Sequence, residues 1–563
     1  MTGGLGLGGN NSPAPTGDGS HTPDRRMDLD LDALVWPGRN QPVLAANGVV
    51  ATSQPLAARA GLDVLRDGGN AVDAAVAMAA ALTVVEPATS SIGGDSFALV
   101  WDGEKLHGLN GSGRAPMGLT ADVVRGQGHQ TIPDHGWLPV TVPGTPAAWR
   151  DLHRRFGTLS FLRLLEPAVR YADEGHPVSP ISVWHWRWQV GEVHPGLTGA
   201  AFTAFLDLLA PEGAAPQVGE IWSSPDMAAT LRLLAGTDAD TIYSGEIAER
   251  IVDFSKATGG YLRGEDLERH ASSWVDPIST GYRGHEVWEI PPNGQGIAAL
   301  LALNILEGFD LASKPRNSTE SFHIQIEAMK LAFADAHRYV ADPDCVPVPT
   351  DALLSKTYAG ERRCLIGDRA LLAESGKPTG SDTVYLCTAD SDGMMVSYIQ
   401  STYDAFGSHV VVPGTGIALQ NRGSGFSLEA GHPNLLEPGK RPFHTIIPGF
   451  LSKEGAPIGP FGVMGGHMQP QGHVQMVVNT VDYHMDPQTS LDQARWFWWR
   501  KRDTRHEPAT DTSIVDGLRR RGHDALYWNE LDAYGRGQII WRLPSGAYIA
   551  GSDHRGDGQA VGY

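Results

Sequence analysis

The sequence predicts an α+β fold, and three stretches carry that prediction. Residues 383–401 read as a β-hairpin. Val384, Leu386 and Thr388 alternate with Tyr385 and Cys387, Asp390-Ser391-Asp392-Gly393 supplies the turn, and Met395 to Ser401 returns as the partner strand. Residues 71–82 (AVDAAVAMAAAL) are Ala-rich and nearly apolar on all sides, which is the pattern of a buried helix. Ser321 to Val340 reads as a further helix, with Ile324, Met329 and Leu331 among its buried candidates.

The other elements follow along the chain. Residues 1–44 are expected to form a disordered extension, since residues 1–26 are rich in Gly, Ser, Pro, Asn and Thr. They have no early basic region and no apolar core of a signal peptide. No run of 18 apolar residues occurs, so a cytoplasmic location and no membrane contact are expected. Gln54 to Leu65 reads as a helix ending near Gly68-Gly69, and Asn70 with Asp73 makes a capping-box start for the next. Gly93-Gly94-Asp95-Ser96 leads into the strand FALVWDG. Val142 to Pro146 opens a helix, and residues 157–179 read as two short helices with a Gly-Thr break. Pro291 to Gly296 precedes an amphipathic helix, IAALLALNILEGF.

Composition narrows the function classes. At 563 residues the length prior suggests about four domains, but no repeat or long linker divides residues 45–563, so one composite domain is expected. The hydrophobic fraction of 41% and 15 Trp suffice for a large core. A formal charge of −20 argues against nucleic acid or an anionic membrane as partner. Three cysteines, Cys345, Cys364 and Cys387, imply no disulfide framework, and Cys387 reads as a small core residue.

Two stretches carry chemistry. Residues 373–382 (AESGKPTGSD) are polar and rich in breakers, and they end at a Thr that begins a buried strand. A self-cleaving precursor needs that arrangement. With the bond before Thr383 cut, Thr383 has both a hydroxyl nucleophile and a free α-amine to act as its base. The same residues also fit an ordinary hairpin after a loop. Near the C-terminus, Gly465-Gly466 follows an apolar strand and can turn consecutive N–H groups towards a developing oxyanion; a tight strand-to-helix turn is the alternative. His444, His467 and His473 have no compact metal-ligand spacing and read as pocket or surface histidines. Trp496, Trp498 and Trp499 read as packing residues.

The motifs resemble the γ-glutamyltranspeptidase family in their order. Asp382-Thr383, the Asp-Gly turn, Phe406-Gly407-Ser408 and Pro413-Gly414-Thr415-Gly416 are similar to the start of that family's small subunit, and residues 51–77 with 93–103 to the start of its large subunit. The resemblance covers about residues 45–563. It implies a four-layer αββα sandwich of the N-terminal-nucleophile hydrolase type. It implies a precursor that cuts itself between Asp382 and Thr383 into a large subunit (45–382 after the extension) and a small catalytic subunit (383–563), and it allows a dimer of such heterodimers. Thr383 is then the nucleophile, Ser401 the hydroxyl that hydrogen-bonds it, and Gly465 and Gly466 the oxyanion donors. No cofactor and no metal are implied, and the partner is a small-molecule amide.

Departures from the family pattern bear on substrate. Members specific for γ-glutamyl groups hold the α-carboxylate with an Arg and a Ser-Ser pair, and the α-amine with an Asp. Here the Ser-Ser position reads His444-Thr445 and the Asp position Gly425. A Gln position reads Arg422 and an Asn position Tyr403. Ser112 replaces the Arg, with Arg114 two residues on. An ammonium group would lack its anionic partner, so the pattern looks more like the family's acylase and amidohydrolase branches. Residues 427–439 also look short for the lid loop of many glutathione-cleaving members. The expectation is a threonine amidohydrolase, with Arg114, Tyr403, Arg422, His444 and Thr445 as candidate binding residues. A true γ-glutamyl hydrolase or transferase and an unprocessed, silent binding protein are the alternatives.

Overall fold

The computed structural model describes residues 41–193, 196–372 and 382–563. Most of the expected N-terminal extension and residues 373–381 of the breaker-rich segment lie outside them.

Two seven-stranded sheets, antiparallel throughout, stack face to face. One runs in the order Gln559–Gly562, Val49–Thr52, Asp382–Ala389, Met395–Tyr403, Asp95–Trp101, Leu106–Gly111, Ser273–Val275. The other runs Val43–Ala45, Tyr548–Ser552, Arg536–Arg542, Ala456–Met464, Gly449–Lys453, His285–Glu289, Ile278–Tyr282. The hairpin read from the sequence therefore lies at the centre of its sheet. Its turn has Gly393 at φ +86°, a conformation open to glycine at little cost.

The period-2 alternation of the central strands separates three cores. Tyr385, Cys387, Ile399, Phe97 and Leu99 face the other sheet and meet Phe450, Ile446, Met464 and Ile540. Val384, Leu386, Val396 and Tyr398 face outward under helices Pro55–Arg66, Ala71–Val85, Thr145–Phe156, Phe161–Glu174 and Pro225–Gly236. On the far side, Val287, Leu451, Phe461, Val463 and Trp541 lie under helices Gly296–Leu306, Thr319–Tyr339 and Met468–Val481. Helix, sheet, sheet and helix give the four layers. The all-round apolar character of Ala71–Val85 is explained by burial of every residue in it, and its start is the Asn70–Asp73 capping box.

Four expectations need correction. Ordered structure begins ahead of residue 45, because Val43–Ala45 pairs as an edge strand with Tyr548–Ala550. Residues 157–179 hold one helix, Phe161–Glu174, which continues through Pro167. Burial of Phe161, Leu164, Leu165 and Ala168 against the Ala71–Val85 layer holds it together. Helix Gly296–Leu306 is buried at all eleven positions, not amphipathic, because the strands and helix Thr319–Tyr339 enclose it. His473 is neither a pocket nor a surface residue. It is sealed in the core with Nδ1 2.6 Å from Glu289 Oε1. Among the described residues, no helix is long and apolar enough to cross a membrane.

Candidate functional site

Thr383 is completely buried at the end of the central strand, and its Oγ1 donates to Ser401 Oγ at 3.2 Å. The pairing register slips there. Val384 sits opposite Gln400, but Asp382 sits opposite Tyr403. The slip leaves Tyr403 at φ +82°, a costly conformation for an aromatic residue. The Tyr403 N–H closes back onto Ser401 Oγ at 2.8 Å, so the hydroxyl partner of Thr383 is fixed from two strands.

Arg422 is the second buried centre. It lies on the short turn Arg422–Gly425, tied down by Gly423 N–H donating to the Pro139 carbonyl at 2.8 Å. Its side chain is fully buried. Nη2 donates to Ser401 Oγ at 3.2 Å, Nη1 donates to Thr445 Oγ1 at 2.6 Å, and the guanidinium carbon sits 4.3 Å from the centre of the Tyr403 ring. Nε has no hydrogen-bond partner among the described residues. No carboxylate there forms an ion pair with Arg422. Burial lowers its pKa to about 10, against weaker opposing effects of Tyr403, Asp95 and Asp404, so it keeps its charge at neutral pH. Thr383, Ser401, Arg422 and Thr445 thus form one continuous hydrogen-bonded chain.

Behind this chain stands His444 with a partner, Asp95, that the sequence reading did not single out. Asp95 is the cross-strand neighbour of Ser401. Its Oδ1 accepts from Gly113 N–H at 2.9 Å and Gln420 Nε2 at 2.8 Å, and its Oδ2 is 3.1 Å from His444 Nε2. Burial pushes Asp95 up to about 7, while its hydrogen bonds and the Arg422 charge oppose that rise. Burial first, and Arg422 second, hold His444 well below the usual imidazole range. His444 is therefore neutral at pH 7 and faces Asp95, so its side chain supports the site from behind.

The Gly465-Gly466 turn follows strand Ala456–Met464 and precedes helix Met468–Val481. Their φ angles, +120° and +52°, lie where side chains are strained. Among the described residues, no hydrogen bond occupies either glycine's N–H. The turn is registered to the Thr383 strand by close packing, since a Cβ on Gly462 would fall 2.5 Å from the Tyr385 ring. Gln295 adds a second tie. Its Nε2 donates to the Thr445 carbonyl at 2.6 Å and the Gly466 carbonyl at 2.8 Å, and its backbone N–H donates to the His444 carbonyl at 2.9 Å. Gln295 stands in the Pro291–Gly296 stretch, where the sequence offered only a pre-helix turn.

The structure does not join Arg114 to this chain. Its Nη1 donates to Asp342 Oδ2 and the Gly439 carbonyl, each at 3.1 Å, and its Nη2 to Asp344 Oδ2 at 2.7 Å. It is a third exposed, and its two terminal nitrogens serve an acidic loop. At Gly425 an added Cβ would stand 3.3 Å from the Phe443 carbonyl, so the turn is tight for the acid that γ-glutamyl-specific members carry. Residues 427–436 fold back compactly, with Ser427 and Asn434 bonded at 2.9 Å and Leu428 and Leu436 in an apolar cluster with Phe426.

One further buried set has metal-ligand types: His323, Glu327 and His523. The Glu327 Oε1 that faces His523 is already held by Lys330 Nζ at 2.7 Å. His323 Nδ1 lies 2.8 Å from His523 Nε2, and its Nε2 2.8 Å from the Gly367 carbonyl. A lysine–glutamate ion pair beside two histidines whose pKa burial lowers accounts for these contacts.

The family model described as gamma-glutamyltranspeptidase matches residues 57–563. A glutathione hydrolase-like YwrD proenzyme of Bacillus subtilis is 39% identical over 533 residues, covering 93% of this chain and 100% of the relative. An oxamate amidohydrolase proenzyme of Klebsiella pneumoniae is 32% identical, covering 92% and 99%. A crystal structure of cephalosporin acylase from Bacillus halodurans superposes with a TM-score of 0.91 at 51% identity, covering 95% of this chain and 99% of that one.

Proposed function

The chain belongs to the γ-glutamyltranspeptidase family, and on that premise we propose how this member uses its residues. It is a self-processing amidohydrolase of the N-terminal-nucleophile type, with acyl transfer as the companion reaction. In this reading the precursor is cut between Asp382 and Thr383. Thr383 Oγ attacks the Asp382 carbonyl carbon, the acyl group moves from nitrogen to oxygen, and water hydrolyses the ester. That frees the α-amine of Thr383.

In the mature enzyme, Thr383 Oγ attacks the substrate's amide carbon while the α-amine takes its proton. The N–H groups of Gly465 and Gly466 receive the oxyanion; such donors are typically worth about 3–4 kcal/mol of barrier each. The intermediate collapses, the α-ammonium gives its proton to the departing amine, and an ester remains on Oγ. Water, deprotonated by the α-amine, releases the acid, or an acceptor amine takes the acyl group instead. Ser401 orients the nucleophile throughout.

The acyl group carries a terminal carboxylate and no α-ammonium. The observation behind this is the buried Arg422 cation, which touches Thr445 and Ser401 hydroxyls and has no carboxylate partner among the described residues. A carboxylate reaching it gains a charge-assisted bond in a dry site, with Thr445 as second donor.

A time course on a denaturing gel tests the processing step. The 60.3 kDa precursor should give two bands in about a 2:1 mass ratio, the smaller beginning Thr-Val-Tyr-Leu. Thr383→Ala should stay at full length. A small fragment starting elsewhere, or an alanine variant that still splits there, removes Thr383 from the mechanism. A chain that never splits favours the silent binding protein.

A further inference from the structure

Three rings meet beside the oxyanion turn. His467 directly follows Gly466, and its ring centre lies 5.5 Å from that of His337. His337 stacks on Phe443 at 5.6 Å and 25°, and Phe443 lies 6.5 Å from His467, again at 25°. Phe333 packs beneath, 6.0 Å from His467, with Trp498 5.8 Å from Phe333, and both are buried.

The top of this stack is open. His337, His467 and Gly465 are partly exposed, whereas Thr383 and Arg422 are fully buried. Among the described residues, no hydrogen bond engages a ring nitrogen of His337 or His467. Burial lowers His337 to about 4, helped by His432, and lowers His467 to about 3, helped by His337 and Arg422. At neutral pH the wall is flat, uncharged and supplied with free ring nitrogens.

We propose that His337, Phe443 and His467 form the subsite for the departing amine, and that this subsite takes a flat, unsaturated ring in preference to an amino acid or peptide. The inference rests on the amidohydrolase reading above. An acyl group drawn to buried Arg422 leaves the amine half of the substrate on the other side of the scissile bond, towards the partly exposed Gly465–His467 turn. The neutral rings offer stacking and hydrogen bonding to an aromatic amine. They offer no cation to the free carboxylate of an amino acid.

The test compares benzylamides with cyclohexylmethylamides, whose amines match in size and attachment but differ in the ring. Both are made with a glutaryl and with an uncharged butyryl acyl group, and N-glutarylglycine is added as an amino-acid amide. Processed wild-type enzyme should show a KM for the benzylamide lower by about two- to tenfold in whichever acyl series is turned over, with N-glutarylglycine poorest. His337→Leu and His467→Leu, both at partly exposed positions, should each bring the ratio towards one. Equal KM values in the wild type, a ratio unchanged in both variants, or a preference for N-glutarylglycine overturns the inference. Turnover of the butyryl pair alone overturns the carboxylate-acyl reading, and the benzyl preference in that pair still judges the wall. Turnover of none of the amides overturns both.

Discussion

Arg422→Ala separates two roles that the proposed function gives to one side chain. The guanidinium donates to Ser401 Oγ at 3.2 Å, which in that reading positions the nucleophile, and its buried charge is the proposed partner of the acyl carboxylate. Every substrate feels the first loss. Only a substrate with a carboxylate feels the second. A hydrogen bond to a charged group is worth about 1.5–3 kcal/mol, or about 10- to 150-fold in kcat/KM. The assay follows p-nitroaniline release from glutaryl- and butyryl-p-nitroanilide, which differ in the terminal carboxylate. The ratio of the two kcat/KM values should fall about 10- to 150-fold in Arg422→Ala, after the shared loss from Ser401 cancels. Arg422→Lys should fall between, because an ammonium keeps the charge but cannot bridge Thr445 and Ser401 with one planar fork. If glutaryl and butyryl substrates lose the same factor, Arg422 serves Ser401 alone and the acyl carboxylate binds elsewhere.

With Gly425 and Arg422 where γ-glutamyl-specific members place acid and amide groups, glutaryl-p-nitroanilide should be turned over at least as well as its γ-glutamyl analogue. A tenfold preference for the γ-glutamyl compound in parallel kinetics restores the ordinary transpeptidase reading. Gln295→Leu removes two side-chain donors to the Thr445 and Gly466 carbonyls. It should lower the unfolding free energy by about 1–3 kcal/mol in a denaturant titration and depress kcat more than KM; an unchanged kcat would show that the Gly466 turn holds itself. Asp95, raised to about 7 by burial, is neutral below that pH and anionic above it. Its charge then offsets Arg422, so KM for the glutaryl substrate should rise as pH increases through about 7, and Asp95→Asn should flatten that rise; a profile unchanged in the Asn variant refutes the coupling.

What the sequence disclosed follows from how local its signals are. The hairpin, the Asn70–Asp73 cap and the all-round apolar helix are written in residues a few positions apart, and each has the expected form. The αββα layering needed the resemblance, because alternation in Val384 to Thr388 says that both faces are buried without saying by what. Asp95 and Gln295 were missed for a related reason. Each acts on residues about 150 to 350 positions away, and nothing within a turn of either marks it. Gln295 does precede a helix with no exposed face, so a polar side chain there had to find a buried partner, and that was a usable signal. The ion pairs of Arg114 were not legible either, because Asp342 and Asp344 reach it from another part of the chain.

The site's charge balance explains why its substrate cannot be read as a stability device. A fully buried guanidinium without an ion pair loses most of its hydration, and two hydroxyls and one aromatic face return part of it. Its lowered pKa records that deficit. Asp95 gives partial relief, but burial keeps it half protonated near neutral pH and it spends its oxygens on Gly113, Gln420 and His444. A structural arginine of this kind is met elsewhere in the same chain. Arg555 is equally buried, yet Glu507 and Asp553 pair with it at 2.6 and 3.0 Å. Among the described residues Arg422 has no such pair. In the proposed function that deficit is met by an anion entering beside Thr445, so recognition of a carboxylate would complete the site.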